Sequence, residues 1–342
     1  MPRTQATGPA FASAILAIAL VSGACSGGNG QTVSPAASTS ASTAATPVAA
    51  TAAIPSPTMA LVPPPTGRVA YGRYGPEGVS LFTAKTDGSD ERPLFPPDAE
   101  DARWSPDGRH ISIVFQNSQG LIFFGVMNAD GSRYSERHSP DRSLNLGCVA
   151  WSPDSLRLAC EGWDDADGAR NGIYTVRASD GGDLARVTTA PAHSHDTPGD
   201  YSPDGKGIVF HNYDLATNTT GPQMVVNVDG TARHALNAET GVGSGHWSPD
   251  GKTILTDLGA GGPRLLLVPA DGGRSVPIDL DHRFINANGP AWSPDGEWIV
   301  FSGATSSDLD IYVVRRDGTQ LFQVTHTHGQ PEEFATWVIP PG

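Results

Sequence analysis

A short motif, an aromatic residue followed by Ser-Pro-Asp-Gly, recurs along the chain and constrains its fold more than any other feature. The second copy has Ser in place of Gly, and a sixth copy is degenerate, reading Trp-Val-Ile-Pro-Pro. The aromatic residues are Trp104, Trp151, Tyr201, Trp247, Trp292 and Trp337. Successive copies lie 47, 50, 46, 45 and 45 residues apart. A period in the forties with strand-like sequence between the copies is typical of a β-propeller or a similar array.

The fifth unit shows the strand pattern within one repeat. It predicts four short antiparallel strands, over residues 289–292, 298–302, 310–315 and 321–325. The turn between the first two strands is Ser-Pro-Asp-Gly, in which Pro presets φ, Asp bonds its neighbouring backbone and Gly supplies a positive φ. An Asp-Gly pair recurs in every unit at the turn before the fourth strand and reverses the chain there. These pairs begin at Asp87, Asp130, Asp180, Asp229, Asp271 and Asp317.

The two ends of the repeat region complement each other. Trp337 ends a first strand with five residues after it, whereas residues 67–95 supply three strands with no motif before them. Joined, the termini make one complete unit, so residues 67–342 divide into six units of about 46 residues. We therefore expect an all-β, six-bladed propeller of four-stranded antiparallel blades, closed by pairing of the N- and C-terminal strands in one blade.

The combination of Trp-Ser-Pro-Asp-Gly-Lys, an Ile-Val-Phe strand, an Ile-Tyr-Val-Val strand with Asp-Gly, and a Val-Thr ending resembles the TolB-type, WD-like β-propeller repeat. The resemblance covers residues 67–342 and implies contacts with envelope proteins. The same repeat also occurs in propellers of certain serine peptidases and in some polysaccharide lyases. Because the matching residues build the blades, the resemblance transfers no catalytic residue to this chain.

Composition narrows the classes of function. The chain has 342 residues and a formal charge of −14, which argues against nucleic acid as a partner. It contains 40 Gly and 29 Pro, and both residues weaken helices and favour turns. A helix-rich protein is therefore not expected.

The N-terminal sequence has the features of a targeting segment. Arg3 precedes an uncharged, largely apolar stretch over residues 10–21, followed by small residues and Cys25. We interpret residues 1–24 as an export signal, and the stretch is too short for a permanent transmembrane helix. The end of the signal resembles a lipobox, which predicts lipidation of Cys25, although Ser22 stands where Leu or Val is usual. Ordinary cleavage that releases a free protein is the alternative.

Residues 25–66 read as a disordered tether. The stretch 26–66 is rich in Ser, Thr, Ala and Pro, without charged or aromatic residues, and it cannot bury enough apolar surface to fold. We therefore expect a cell-envelope protein, membrane-anchored only through a lipid on Cys25 and exposed to the periplasm or the exterior. The other two cysteines, Cys148 and Cys160, flank a predicted turn. They are candidates for a disulfide, with two separate buried thiols as the alternative.

The connections on the two faces of such a ring differ in how closely they repeat. The Ser-Pro-Asp-Gly and Asp-Gly turns share one face and repeat nearly unchanged. The loops on the other face vary, notably residues 162–172, 190–200 and 211–221. Variable loops on a rigid scaffold usually carry recognition, so we expect the binding site at the channel mouth on this second face. The candidate binding residues are His193, His195, Asp196, His211, His246, Asn286, Asn288, His326, His328, Glu332 and Glu333.

Two His-x-His pairs raise the question of a metal. In an extended segment residues two apart point the same way, so His193 with His195, and His326 with His328, could each offer two imidazoles to one divalent cation. Solvated or backbone-bonded loop histidines are the simpler interpretation, because the two pairs belong to opposite units of the ring. The acidic segment 164–168 resembles a calcium loop but lacks the twelfth-position Glu, so an acidic turn is the better interpretation. No other cofactor is expected.

Two functional hypotheses remain. The first is a non-enzymatic module that binds an envelope protein, peptide or glycan through the loop face. The second is a metal-assisted lyase or hydrolase with its site at the same channel mouth. A serine peptidase is not expected, because the chain lacks Gly-x-Ser-x-Gly.

Overall fold

The fold is described from a computed structural model. It covers residues 63–76, 78–95, 100–116, 122–258, 264–280, 282–305 and 308–340. The predicted export signal, Cys25 and nearly all of the predicted tether lie outside these residues. Within the described part of the chain, no helix has both the length and the apolar character needed to span a bilayer.

The described residues form 25 short strands and one 3₁₀ turn at Gly168–Arg170. The strands of blade 1 are β4 (Glu100–Trp104), β5 (His110–Gln116), β6 (Ile122–Asn128) and β7 (Ser135–Arg137). Those of blade 2 are β8 (Asn145–Trp151), β9 (Arg157–Trp163), β10 (Gly172–Arg177) and β11 (Ala185–Arg186). Those of blade 3 are β12 (Ser194–Tyr201), β13 (Gly207–Asp214), β14 (Thr219–Thr220), β15 (Met224–Asn227) and β16 (His234–Ala235).

The remaining three blades follow the same plan. The strands of blade 4 are β17 (His246–Trp247), β18 (Thr253–Asp257), β19 (Leu265–Pro269) and β20 (Val276–Ile278). Those of blade 5 are β21 (Asn286–Trp292), β22 (Trp298–Ala304), β23 (Leu309–Arg315) and β24 (Leu321–Gln323). Blade 6 joins β25 (Glu332–Trp337) to β1 (Arg68–Gly75), β2 (Gly78–Lys85) and β3 (Arg92–Phe95).

The predicted six-bladed propeller is confirmed. Each sheet is antiparallel and contains four strands, and blade 3 adds the short β14 beside β13. The strands follow sequence order in blades 1 to 5, whereas blade 6 has the order β25-β1-β2-β3. The strand that carries the motif aromatic residue stands at one edge of every sheet and is the inner strand of its blade. In blade 5 this strand begins at Asn286, three residues before the predicted start, because a bulge between Asn288 and Ala291 lets pairing with β22 continue.

The Ser-Pro-Asp turns are braced by the same three hydrogen bonds in all five full copies. The Ser hydroxyl donates to the Asp carboxylate at 2.5–2.6 Å. The same Ser oxygen accepts the backbone N–H five residues after it. The Asp carboxylate also accepts the N–H two residues after it. The motif therefore closes a turn by satisfying its polar groups locally, as the sequence predicts.

The Asp-Gly turns have a second role that the sequence does not reveal. Their six glycines have φ between 74° and 91°, as predicted for a reversing turn. A Cβ at any of these glycines would also lie only 2.5–3.2 Å from a carbonyl oxygen of the preceding blade. Glycine is thus required both for the turn and for close contact between neighbouring blades.

The hydrophobic core is divided among the six interfaces between consecutive blades. One cluster packs Ile173 and Ala159 of blade 2 against Ile208 and Phe210 of blade 3, and four others fill the interfaces between blades 1 and 2, 3 and 4, 4 and 5, and 5 and 6. The sixth cluster packs Leu81 of blade 6 against residues of blade 1 that include Trp104. Because every interface is filled, the ring is closed.

Closure depends on pairing of the chain ends. β25 pairs with β1 in antiparallel register, with Val69 opposite Trp337 and Arg73 opposite Glu332. The Trp337 indole N–H donates to the Ala291 carbonyl oxygen of blade 5 at 3.2 Å. The equivalent bonds of Trp151 to Arg103 and of Trp292 to His246 also reach the inner strand of the preceding blade. The predicted joining of the termini in one blade is confirmed.

A disulfide joins Cys148 to Cys160. The two residues lie opposite each other on β8 and β9, next to a register shift between Cys148 and Ala150, and both are fully buried. The predicted pairing is therefore present, and the alternative of two separate thiols is not observed.

We predict that Trp337 is the main aromatic anchor of ring closure. Trp337→Ala should lower the free energy of unfolding by about 3–5 kcal/mol, because it leaves a cavity at a buried interface. Trp337→Tyr should lower it by only about 1 kcal/mol, since Tyr201 fills the equivalent position of blade 3 and only the indole hydrogen bond is lost. Urea denaturation of both variants checks this. A loss below about 1 kcal/mol for Trp337→Ala would contradict a closed ring.

We also predict that the disulfide stabilises blade 2 mainly by restricting the unfolded chain. Replacing both Cys148 and Cys160 with Ala should lower the free energy of unfolding by about 3 kcal/mol, the loss expected for so short a loop. The measurement is urea denaturation with and without dithiothreitol. Reductant should destabilise the wild type and leave the double variant unchanged, and an equal effect on both would show that the disulfide is not the cause.

Candidate functional site

The topology separates the two ends of the ring. We call the end with the Ser-Pro-Asp and Asp-Gly turns the turn face, and the opposite end the loop face. Inner strands run from the loop face to the turn face, since each ends at its motif aromatic residue. Residues at the start of these strands, such as Asn145, Ser194, Asn286 and Glu332, therefore surround the channel mouth on the loop face.

A histidine and a glutamate from neighbouring blades pair at this mouth. His195 lies on the inner strand of blade 3, and its Nδ1 is 2.6 Å from Oε1 of Glu161 on β9 of blade 2. The other Glu161 oxygen accepts the Thr197 hydroxyl at 2.9 Å, and the Trp163 ring lies 5.8 Å from the imidazole. His195 and Glu161 keep 18% and 20% of their side chains exposed. The His195–Glu161 pair is therefore held in position yet remains accessible.

A second histidine lies buried beside this pair. His211 stands opposite Thr197 in the register of β12 and β13. Burial lowers the pKa of its imidazole, although the carboxylates of Glu161 and Asp196 act in the opposite direction. Its Nδ1 has no hydrogen-bond partner among the described residues. The neutral imidazole of His211 thus lies buried beside the accessible His195–Glu161 pair.

Asp196 has a structural role. Its carboxylate is fully buried and receives two hydrogen bonds from Arg233, at 2.8 and 3.0 Å. A third comes from Asn212 at 2.9 Å, and the Arg233 guanidinium stacks on Phe210. Such a bidentate pair fixes the inner strand against the outer part of its own blade. It leaves little of Asp196 to bind a ligand.

Glu332 has a similar role on the opposite side of the ring. It is fully buried, and Nε of Arg73 donates to its Oε1 at 2.7 Å. Burial raises the pKa of Glu332, against hydrogen bonds that include the one from Arg73. Arg73 also donates two hydrogen bonds to Glu91, which in turn accepts the Tyr71 hydroxyl. This network ties β25 to β1 at the point where the ring closes.

Asp257 brings an unusual carboxyl group to the same face. It ends β18 of blade 4, where its side chain packs against Gly243 so closely that a Cβ there would lie 2.3 Å from Oδ1. Burial raises the pKa of Asp257 to about 6, although N–H groups of Asp257 and Gly289 lower it. This carboxyl group therefore holds its proton to a higher pH than an ordinary aspartate.

The prediction for His246 is wrong in its location. His246 directly precedes Trp247, so it lies where its inner strand ends, toward the turn face, and not in a channel-mouth loop. Burial, reinforced by the charge of Arg103, lowers the pKa of His246 to about 3. Its carbonyl accepts the indole N–H of Trp292, so the residue serves the contact between blades.

The remaining candidates do not converge on one point. His193 is exposed and has φ 58°, ahead of β12. His326 and His328 are exposed in the segment before β25, and His328 pairs with Asp308 at 2.9 Å. Neither His-x-His pair lies wholly within a strand, and the positive φ of His193 departs from the extended geometry assumed for a metal. No three His, Cys, Asp or Glu residues are grouped for metal binding in the described ranges.

The polar and acidic residues around the mouth are placed separately. Asn286, Asn288 and Glu333 are half-buried on β21 and β25. In the acidic segment, Asp164 accepts the backbone N–H groups of Ala166 and Asp167 and binds Arg170 at 2.6 Å. That carboxylate is engaged as a turn cap, in agreement with the interpretation as an acidic turn.

Sequence reasoning missed Glu161, Thr197 and Arg233. Glu161 lies in β9 between otherwise uncharged residues that follow Arg157. A charged residue at such a position predicts a polar partner. Its partner could not be read from sequence, because His195 is 34 residues away in another blade.

Comparisons with known proteins agree with the fold. No protein-family model matches the sequence. An uncharacterised protein of Agrobacterium fabrum strain C58 is 34% identical over 79 residues, covering 23% of this chain and 27% of that protein. The chain thus matches about a quarter of that relative's length.

Three solved structures share the architecture. TolB from Acinetobacter baumannii is similar with a TM-score of 0.64 and 18% identity, covering 80% of this chain and 66% of that one. A putative TolB from Agrobacterium tumefaciens gives 0.55 and 16%, covering 80% and 99%. An oligogalacturonate lyase from Vibrio parahaemolyticus gives 0.51 and 13%, covering 75% and 74%. The predicted resemblance to TolB-type propellers is confirmed at the level of the fold.

We predict that Asp257 makes stability depend on pH. Its pKa is 3.8 in an ordinary setting and about 6 when folded, so between these values the folded state holds a proton that the unfolded state has lost. Stability should therefore fall as the pH rises through this window. Asp257→Asn should raise the melting temperature at pH 7.5 by about 2–5 °C and leave it unchanged near pH 4.

Thermal unfolding from pH 4 to 7.5 tests this. The exposed Asp165→Asn is the matched control and should show the pH dependence of the wild type. If Asp257→Asn also retains that dependence, its carboxyl group is not the cause.

Proposed function

We propose that this chain is an envelope-tethered propeller that binds a polypeptide partner at the channel mouth of its loop face. The observation that carries the proposal is the His195–Glu161 pair, which is accessible and held between two blades. A site whose polar groups are already oriented loses less entropy on binding. The formal charge of −14 and the propeller fold are both consistent with binding of a polypeptide.

The chemistry of the pair suits a peptide group. The imidazole, the Thr197 hydroxyl and the Glu161 carboxylate offer hydrogen-bond donors and acceptors within one small area. Trp163 supplies an aromatic wall beside them. Because Glu161 pairs with no Lys or Arg among the described residues, a basic side chain of the partner would complete its electrostatic pairing.

The surrounding ion pairs support the same interpretation. Asp196 with Arg233, and Glu332 with Arg73, fix the inner strands of blades 3 and 6 below the surface. The mouth is therefore rigid, and recognition falls to the loops and to the accessible side chains above these pairs. The likeness to TolB propellers supports a scaffold of this kind.

Export and tethering rest on the N-terminal sequence. The apolar stretch over residues 10–21, the small residues before Cys25 and the uncharged segment that follows support secretion and attachment through a lipid on Cys25. A tether of about 40 residues reaches up to roughly 140 Å when extended, which allows the ring to meet partners away from the bilayer.

We predict that the His195–Glu161 pair determines partner binding. In affinity capture from envelope extract, His195→Ala and Glu161→Gln should each weaken recovery of a defined partner about 10-fold, the loss expected for one or two hydrogen bonds. The matched control is His328→Ala, which removes a histidine that is 93% exposed on the same face of blade 6. The melting temperature of His328→Ala should stay within about 2 °C of the wild type, since that change is at the surface. Because His195 and Glu161 are mostly buried, capture by their variants is compared at a temperature where thermal unfolding shows each to be folded.

Two outcomes oppose this proposal. Equal capture by the wild type and both pair variants would exclude the His195–Glu161 pair from recognition. Equal weakening by His328→Ala would mean that the loop face binds only nonspecifically.

A metal-assisted lyase or hydrolase is the second candidate, and the similarity to an oligogalacturonate lyase fold motivates it. Metal analysis of the purified protein separates the two candidates. Stoichiometric Mn, Zn or Ca that is lost when His193 and His195 are replaced would favour the enzyme.

A further inference from the structure

The turn face contains a groove between blades 1 and 2. It encloses about 610 Å³ and is lined on one side by Val126 and Met127 of blade 1 and on the other by Trp151 and Leu156 of blade 2. Its remaining walls carry four arginines, Arg133, Arg137, Arg157 and Arg177. Asp154 lines it as well. Val126, Met127 and Trp151 are buried, so Leu156 is the exposed apolar side chain in this arginine-rich groove, at the opposite end of the ring from the proposed channel-mouth site.

Leu156 distinguishes this turn from the other four. The residue after the turn is charged in every other full copy, as Arg109, Lys206, Lys252 and Glu297. Leu156 is 63% exposed, the highest value among the large apolar side chains that the structure describes. The turn is braced as in the other copies, with Ser152 bonded to Asp154 and the Leu156 N–H donating to Asp154. Folding therefore does not require Leu at this position.

Ser155 is the second departure in this copy. It takes the place of Gly and has φ 62°, a conformation that favours glycine. Its hydroxyl accepts the backbone N–H of Asp107 at 3.1 Å, which joins the turn of blade 2 to that of blade 1. This bond fixes the relative position of the two walls of the groove.

Three of the arginines are not engaged in salt bridges within the described part of the chain. Arg157 donates to the Thr175 hydroxyl and to the Asp183 carbonyl, at 3.0 and 2.7 Å. Arg137 donates to the Ser135 hydroxyl and to the Glu136 carbonyl. Arg133 is exposed after the turn of blade 1. Among the described residues, no carboxylate lies within salt-bridge distance of these three guanidinium groups, whereas Arg177 pairs with Asp180 and Asp183.

We propose that this groove binds an acidic peptide segment that carries a large apolar side chain. In a chain with a formal charge of −14, a groove lined by four arginines and one carboxylate, Asp154, is a local concentration of positive charge. Asp154 and Asp183 act electrostatically on Arg157, and Asp130 acts on Arg133, so this charge is partly offset. Guanidinium groups match carboxylates in bidentate geometry, and the exposed Leu156 offers contact area to an apolar side chain. The exposed Leu156 favours such a peptide over a purely anionic polymer, which would leave this side chain uncovered.

The test uses fluorescence anisotropy with the full chain and labelled synthetic decapeptides. One peptide carries a central Leu-Phe flanked by Asp and Glu, a second replaces Leu-Phe with Ser-Ser, and a third replaces the acids with Lys. The first should bind, and its affinity should fall about 10-fold or more between 50 and 200 mM NaCl, because several ion pairs are formed. The other two should bind at least 10-fold more weakly.

Variants that already occur in sister blades keep the fold intact. Arg133→Gln copies Gln320, which has φ 55° at the same place in blade 5, and Arg157→Thr copies Thr253 of blade 4. Each should weaken binding of the acidic, apolar peptide about 5-fold. Lys252→Gln removes an exposed charge after the turn of blade 4 and should leave that binding unchanged.

Leu156→Lys separates the two components of recognition. It copies Lys206 and Lys252, adds a positive charge and removes the apolar contact. The proposal requires weaker binding of the acidic, apolar peptide by this variant, whereas a purely electrostatic patch would bind it more tightly. Tighter binding, equal binding of the Ser-Ser peptide, or full competition by polygalacturonate would overturn the proposal in favour of a nonspecific anion site. Absence of binding at 50 mM NaCl would also overturn it.

Discussion

The pairing of β25 with β1 is the constraint on which the rest of the structure depends. Every part of the hydrophobic core lies between two consecutive blades, and no single blade encloses a core of its own. An open array would therefore expose one face of each terminal blade to water. The chain avoids this by building blade 6 from both ends, with Trp337 bonded to blade 5 and Leu81 packed against blade 1. The free energy gained at the last interface thus depends on residues that are far apart in sequence, which makes closure cooperative.

Closure also fixes the inner strands, and through them the chemistry of the channel mouth. Two carboxylates at this end, Asp196 and Glu332, are buried with arginine partners from their own blades. Burying such pairs has a large desolvation cost, so their role is better understood as positioning than as stabilisation. Glu161 differs, because its partner His195 belongs to the next blade and both side chains reach solvent. The contact between His195 and Glu161 therefore depends on the relative position of blades 2 and 3, and both side chains remain accessible to solvent.

The sequence predicts the fold in detail because each repeat contains its own turn chemistry. The motif aromatic residues, the Ser-Pro-Asp braces and the Asp-Gly turns gave the number of blades, the strand order and the joining of the termini. The site was less predictable, because it depends on which residues of neighbouring blades meet. His246 was assigned to the wrong end of its strand, since the short strand β17 includes only His246 and Trp247. Glu161 was missed because its partner lies in another repeat, and the bulges between Cys148 and Ala150 and between Pro198 and Asp200 change the register there.

The same local chemistry explains how the turn face can be regular in sequence and still carry distinct surfaces. The Ser and Asp side chains satisfy the polar groups of each turn, and the residue after the turn contributes only its backbone N–H to the brace. The brace therefore does not depend on the type of side chain, which is why Arg109, Leu156, Lys206, Lys252 and Glu297 can all occupy this position. A propeller can thus vary its surface at one position per blade without a change in fold. Between blades 1 and 2, the residue at this position is the exposed Leu156, and arginines surround it. The repeated turn thus carries a surface here that the other blades lack.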